Sequence, residues 1–322
     1  MMDSLNLELF WKSIKHDGLS EFVYKRIDDN CIPELNLAIN STMGRCLILE
    51  LPRDHVIDLP TSTMQNLSLK YYEDTKCIVL QLLDENYNDL FNDLTMSLYL
   101  KIMHVSDIEE YSAVFIQTFY KWSEFFHEQN SEKLSRETIK GIFGELIYLR
   151  SFLDKASLSD VNYLLESWHG PYDTGHDFIF NDKNIEVKTK DSNKNKISIS
   201  SEYQLEAELS KGLELAVISV DLDYVAGCSI KELVQDIRTL IFNRCGDFSI
   251  LLKALQQKNI TLKNISEYDN YRFKPIDLTT YDCLVDEFPK LVKSILPPVL
   301  SCVKYDINLK GIENFIIAER KF

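Results

Sequence analysis

In the stretch Asp177-Phe-Ile-Phe-Asn-Asp-Lys-Asn-Ile-Glu-Val-Lys188, Asp177, Glu186 and Lys188 put two carboxylates and an amine at a spacing that suits metal-assisted hydrolysis. Residues Asn181 to Asn184 read as a four-residue turn rich in Asn and Asp. Pairing outward from that turn sets Phe180 opposite Ile185, Ile179 opposite Glu186, Phe178 opposite Val187 and Asp177 opposite Lys188. Strand alternation then puts Phe178, Phe180, Ile185 and Val187 on one apolar face, and Asp177, Glu186 and Lys188 on the other. A one-residue slip would bury the charges and expose the apolar set. Diagonal neighbours on a hairpin have Cβ atoms ~7–8 Å apart, so Asp177 and Glu186 can converge on one cation. Mg²⁺ fits such a pair, since it takes one or two carboxylates at ~2.1 Å and keeps several waters; Mn²⁺ is expected to substitute. Lys188 beside them would orient or deprotonate a water, or neutralise charge building on a phosphate. The same alternation also serves a solvated sheet edge, so the hairpin needs support from elsewhere in the chain.

The elements that would position these groups supply it. Gly141-Ile-Phe-Gly-Glu145 falls in a predicted helix at about 136–153, whose apolar stripe is 139, 142, 143, 146, 149 and 153. Glu145 sits beside that stripe as a possible third acid at the metal. Two glycines inside a helix cost ~1 kcal/mol each, which points to close backbone packing there. Trp168 to Tyr172 and Gly175-His176 make an irregular entry to the Asp177 strand. After Lys188 come Lys190 on the same face, then Lys194 and Lys196. Ser201-Glu-Tyr-Gln204 reads as a capping box opening a helix at 201–211. A capped helix start beside lysines is a natural phosphate seat.

Glu145, Asp177 and Glu186-Val-Lys188, on a helix–strand–strand–strand–helix–strand run, resemble the PD-(D/E)XK nuclease superfamily. The wider pattern of Gly-Glu, Trp-x-Gly, His-Asp-Phe, Ile-Glu-Val-Lys-Thr and Ile197 to Leu205 resembles a branch of it found in bacterial restriction and phage-defence loci. That likeness implies Asp177, Glu186 and Glu145 as metal ligands and Lys188 as the catalytic lysine. It places Gln204 near the phosphate path; the lysine run and the capped helix start make Lys190, Lys194, Lys196 and Ser201 candidate nucleic-acid contacts, and His176 either contacts a phosphate or packs. His176 stands where the superfamily has its proline. The implied activity is Mg²⁺-dependent endonuclease cleavage of double-stranded DNA, with a homodimer possible. The rival is a non-catalytic nucleic-acid-binding or scaffolding subunit on a nuclease-derived fold.

The 322 residues, 45% hydrophobic and 11% aromatic, suffice for a large core and exclude the disordered class. No apolar run is long enough to cross a membrane, and no signal-peptide pattern opens the chain, so a cytoplasmic address is expected. Seven scattered cysteines, never spaced C-x-x-C, read as reduced and buried thiols rather than zinc ligands or disulfides. The net charge is −15, poor for unaided DNA binding, but it is uneven. Residues 1–130 hold 21 acids and 10 bases, whereas residues 131–322 hold 29 and 25. Between Lys183 and Lys196 five lysines face two acids, a local excess that screening leaves usable. The polar stretch 127–135 reads as a linker, with a boundary near 130.

The expected architecture is therefore α/β: a restriction-endonuclease-like core of mixed sheet and flanking helices at 131–322, with a C-terminal α/β extension. A smaller, acidic α+β domain at 1–130 would precede it and bind partner subunits. Predicted helices lie at about 5–14, 87–103, 108–126, 136–153, 201–211, 229–242 and 247–258. Predicted strands lie at 46–51, 67–72, 77–83, 177–180, 185–190, 196–199, 214–221, 271–275, 300–308 and 313–318, with another ending near Trp168.

Overall fold

The computed structural model describes the chain except residues 1–3, 58, 60, 128–132 and 173–174. Most of the expected linker, and the boundary placed within it, lie outside the described residues. The chain divides into two compact units, residues 1–130 with 247–249, and residues 131–246 with 250–322.

The first unit opens with helix α1 (Ser4–Ser13) and continues with β1 (Phe22–Arg26), β2 (Glu34–Asn40), β3 (Arg45–Glu50), β4 (Ser62–Thr63), β5 (Leu67–Tyr72) and β6 (Cys77–Leu82). These strands form one antiparallel sheet in the order β1-β2-β3-β6-β5-β4. Helices α2 (Asn88–Ile102) and α3 (Ile108–Ser123) follow, the latter capped by Asp107, which accepts from the Glu110 amide. β1, β2 and β4 were not anticipated. In β2 every residue after Glu34 is buried, yet its sequence alternates Leu35, Leu37 and Ile39 with Asn36, Ala38 and Asn40, a strand pattern that was overlooked. A second cue lay in the turn behind it, where Asn40 Oδ1 accepts from the backbone of Thr42 and Gly44.

The second unit runs α4 (Arg136–Leu153), α5 (Val161–Glu166), β7 (Phe178–Ile179), β8 (Lys183–Asp191), β9 (Lys196–Ile199), β10 (Gly212–Leu222), α6 (Ile230–Asn243), α7 (Phe248–Gln257), β11 (Phe273–Asp282), β12 (Tyr305–Asn308) and β13 (Ile316–Lys321). Five strands make a mixed sheet ordered β13-β11-β10-β8-β7, in which only β8 and β10 are parallel. β9 and β12 pair separately as an antiparallel ribbon. The α/β class and the mixed sheet flanked by helices are as expected. The strand expected to end near Trp168 is instead the short helix α5, after which Trp168 makes a single bridge to Phe178.

Parallel neighbours need a crossover, usually a helix. Here the β8–β10 crossover carries β9 and a run of turns, and the helix expected at 201–211 is absent. Leu205 of that stretch is fully buried, but Leu209, its partner one turn on, is 98% exposed. A helix there would have no apolar stripe to pack, and stability of short helices comes mostly from such packing. Glu202 and Glu206 accept instead from the amides of Val303 and Ser294, tying the segment to the chain's C-terminal stretch.

The crossover decides what covers the sheet. Its Ile197, Ile199 and Leu205 pack with Leu213, Leu215 and Val217 of β10. In register, Leu215 lies beside Glu186 and Val217 beside Lys188, so the crossover roofs the face of β8 that bears both charges. Helix α4 takes the opposite face. Tyr148 meets Phe178 edge-on at 5.3 Å, and Phe152 meets Phe180 likewise at 5.3 Å. Gly144 lets α4 approach β8, because a β-carbon there would collide with Thr189 Oγ1. Gly141 has nothing within 4 Å of the same position, so only one of the two helical glycines serves packing. All seven cysteines are free, yet Cys245 and Cys302 are exposed, so the expectation of buried thiols holds for only part of the set.

Candidate active site

The hairpin closes through two residues, Asn181 and Asp182, with the Phe180 amide donating to the Lys183 carbonyl at 2.9 Å. Phe178 therefore pairs with Ile185 and Ile179 with Asn184, a register two residues from the expected one. Two-residue loops are the favoured hairpin connection, and a slip of two leaves every side chain on its face. Extending the observed register one step sets Asp177 directly across from Glu186 instead of diagonal to it. Asp177 is where the ladder ends: its carbonyl accepts from the amides of His169 and Gly170, and its Oδ2 accepts from the Val187 amide at 2.8 Å.

A hairpin at a wet edge would leave its polar face exposed. Glu186 is only 1% exposed, under the crossover. Lys188 Nζ stands 2.8 Å from Glu186 Oε1 and 3.1 Å from Gln204 Oε1. The contact to Oε1 is a close ion pair poorly aligned as a hydrogen bond, so that buried oxygen lacks a well-formed donor. Burial first, and the charge of Asp177 second, raise the Glu186 carboxyl well above the ordinary range.

Glu145 reaches the same place from α4. Trp168 Nε1 donates to Glu145 Oε2 at 2.8 Å. A β-carbon on Gly170 would collide with that Oε2 and stand 2.9 Å from Asp177 Oδ1, so both carboxylates border one glycine. Burial and then Asp177 push the Glu145 carboxyl up to about 8, against the indole hydrogen bond. Asp177 thus raises both Glu145 and Glu186. Among the described residues no three such side chains form a ready cage for a metal ion. The donors nonetheless fit Mg²⁺ or Mn²⁺: all are hard oxygens, one lacks a good donor, and two carboxylates plus water and phosphate suffice.

The remaining predicted residues are distributed around this centre. His176 is buried, its Nε2 has no hydrogen-bond partner, and burial lowers its pKa. Gln204 lies over Lys188, and Ser201 Oγ accepts from the Tyr203 amide in a turn rather than at a helix start. Lys190, Lys194 and Lys196 line a cleft of about 660 Å³ that begins at Lys188. Lys194 is held by Asp191 at 2.7 Å, and Lys190 Nζ is 3.5 Å from the Ser192 carbonyl. Sequence reasoning missed Lys140, whose buried side chain enters the same cleft and bridges Glu137 and Asp191 at 2.7 and 3.0 Å. Its i,i+3 spacing to Glu137 was visible, but the link to Asp191 was not. It also missed that Trp168 holds Glu145.

No curated protein and no solved structure matches the chain. A family model described as "Putative PD-(D/E)XK family member, (DUF4420)" matches residues 7–310, nearly the whole length. The match spans far more than half of the sequence, and the chain belongs to this PD-(D/E)XK family.

Proposed function

We propose that the chain is a metal-dependent DNA endonuclease that hydrolyses phosphodiester bonds through Asp177, Glu186 and Lys188. The observation that carries this reading is a carboxylate 1% exposed, Glu186, with an ammonium 2.8 Å away and two further acids adjoining. Burying Glu186 beside two half-buried carboxylates costs folding free energy, and a divalent cation would relieve it. When bound, such an ion supplies Lewis acidity and lowers the pKa of a coordinated water. Asp177 and Glu186 would hold it, with Glu145 as auxiliary ligand. Asp177 is fixed for this by the Val187 amide, and Glu145 by the Trp168 indole. Lys188 offers a positive charge where negative charge gathers on the phosphate oxygens during attack. The lysine-lined cleft beside it supports a passage for the neighbouring backbone phosphates, with Lys140 added to Lys190, Lys194 and Lys196.

The setting we propose is a bacterial restriction or anti-phage system in the cytoplasm. The acidic residues 1–130 would engage partner subunits that deliver DNA, in keeping with a net charge of −15 that opposes unaided binding. Cutting both strands would call for two such centres, hence a homodimer. A nicking assay on supercoiled plasmid with Mg²⁺ or Mn²⁺ tests the reading, with an RNA of matched sequence in parallel. Metal-dependent nicking slowed by orders of magnitude in Lys188→Ala supports it; equal behaviour of wild type and Lys188→Ala refutes it.

A further inference from the structure

We propose that Gln204 is a positioning residue for Lys188, holding its amine over Glu186 instead of touching the substrate; this rests on the nuclease reading above. The crossover from β8 to β10 brings Gln204 back over the polar face of β8, where its Oε1 meets Lys188 Nζ at 3.1 Å. The same oxygen accepts from the Ser200 amide at 2.8 Å and from Ser200 Oγ at 3.1 Å. A backbone amide only donates, so the atom facing it is the carbonyl oxygen and the orientation of the side-chain amide is settled. Three donors converge on one acceptor, which commits that oxygen to Lys188 and Ser200. Lys188 has three N–H donors. Gln204 Oε1 takes one of them, while the ion pair to Glu186 Oε1 at 2.8 Å holds the amine from another side. A four-carbon side chain is otherwise free to sweep several ångströms, and misplacement of about 1 Å costs on the order of 100-fold in rate.

The test is a double-mutant cycle on plasmid cleavage with Mg²⁺, using wild type, Gln204→Leu, Lys188→Ala and the double variant, with kcat and KM measured separately. Gln204→Leu is expected to lower kcat by 10–100-fold, of the order that a misplacement of about 1 Å costs, while KM for DNA stays within about twofold. It should add nothing once Lys188 is gone. A second readout does not depend on cleavage: the ¹⁵N–¹H signal of the Lys188 amine, assigned by its loss in Lys188→Met, should be protected from exchange in wild type and broadened away in Gln204→Leu. Gln204→Glu, which keeps an oxygen acceptor at the site, should restore that signal. A KM effect with unchanged kcat would overturn the proposal in favour of substrate contact. An equal further loss in the Lys188→Ala background would overturn it in favour of a purely structural turn. Wild type that cleaves nothing would overturn this inference together with the nuclease reading, whereas metal-dependent cleavage with uncoupled variants overturns this inference alone.

Discussion

Replacing Glu145 with the isosteric glutamine is expected to stabilise the metal-free protein, and to do so more as pH rises. The carboxyl is raised from 4.5 to about 8 by burial and by Asp177. A folded-state value above the unfolded one means that this group's contribution is fully present below pH 4.5 and is lost as pH climbs through about 8. The full displacement would correspond to roughly 5 kcal/mol above pH 8 at 1.36 kcal/mol per pH unit. Glu145 is partly reached by water, and part of the displacement belongs to its interaction with Asp177, so about 2 kcal/mol is the working figure. For a folding unit of this size that is a rise in Tm of roughly 4–8 °C. Glutamine keeps an oxygen for the Trp168 indole, so the perturbation removes charge and little else. Thermal melts in EDTA at pH 5, 7 and 8.5 read it out: near coincidence of the two proteins at pH 5, with a gap widening toward pH 8.5. Added Mg²⁺ should then raise the Tm of wild type more than that of Glu145→Gln, because a more tightly bound ligand stabilises the folded state more. A gap independent of pH, or a variant less stable than wild type at pH 8.5, would refute the buried-acid reasoning.

Calorimetric titration with Mn²⁺ should show binding to wild type and none to Glu186→Gln; equal heats from both would remove the metal from this hairpin. The two helical glycines should separate under substitution. Gly144→Ala places a methyl into Thr189 Oγ1 and should cost about 1–3 kcal/mol by overpacking, relieved when combined with Thr189→Ala. Gly141→Ala, with open space around it, should gain about 0.5–1 kcal/mol of helix propensity, and urea midpoints decide both. Ser229 and Glu232 form a complete capping box at the start of α6, so Ser229→Ala should cost about 1 kcal/mol, measured the same way.

Local periodicity carried much of this. The helix at 136–153 matches α4, and the strand at 196–199 matches β9, because a buried stripe or an alternation repeats within a few residues whatever the distant chain does. The side assignment of Asp177, Glu186 and Lys188 was legible for the same reason, and it survived a two-residue error in register because alternation has period two. That blindness also concealed whether the two acids are diagonal or directly opposed. Strand β2 was legible in the alternation of Leu35, Leu37 and Ile39 with Asn36, Ala38 and Asn40 and was overlooked, whereas the 201–211 segment misled because a capping pattern says how a helix would begin, not whether anything will pack against it.

The chain's own order of residues thus dictated which side chains share a face, since that follows from the backbone's repeat alone. It left open whether that face is wet or dry. Only the tertiary fold answered, by sending the β8–β10 crossover over the charged side of the hairpin, seating Gln204 on Lys188 and drawing Glu145 and Trp168 in from α4 and the segment after α5. Burial depends on what covers a surface, and what covers this one is a crossover that turns back over its own strand, by packing that no short window of sequence encodes.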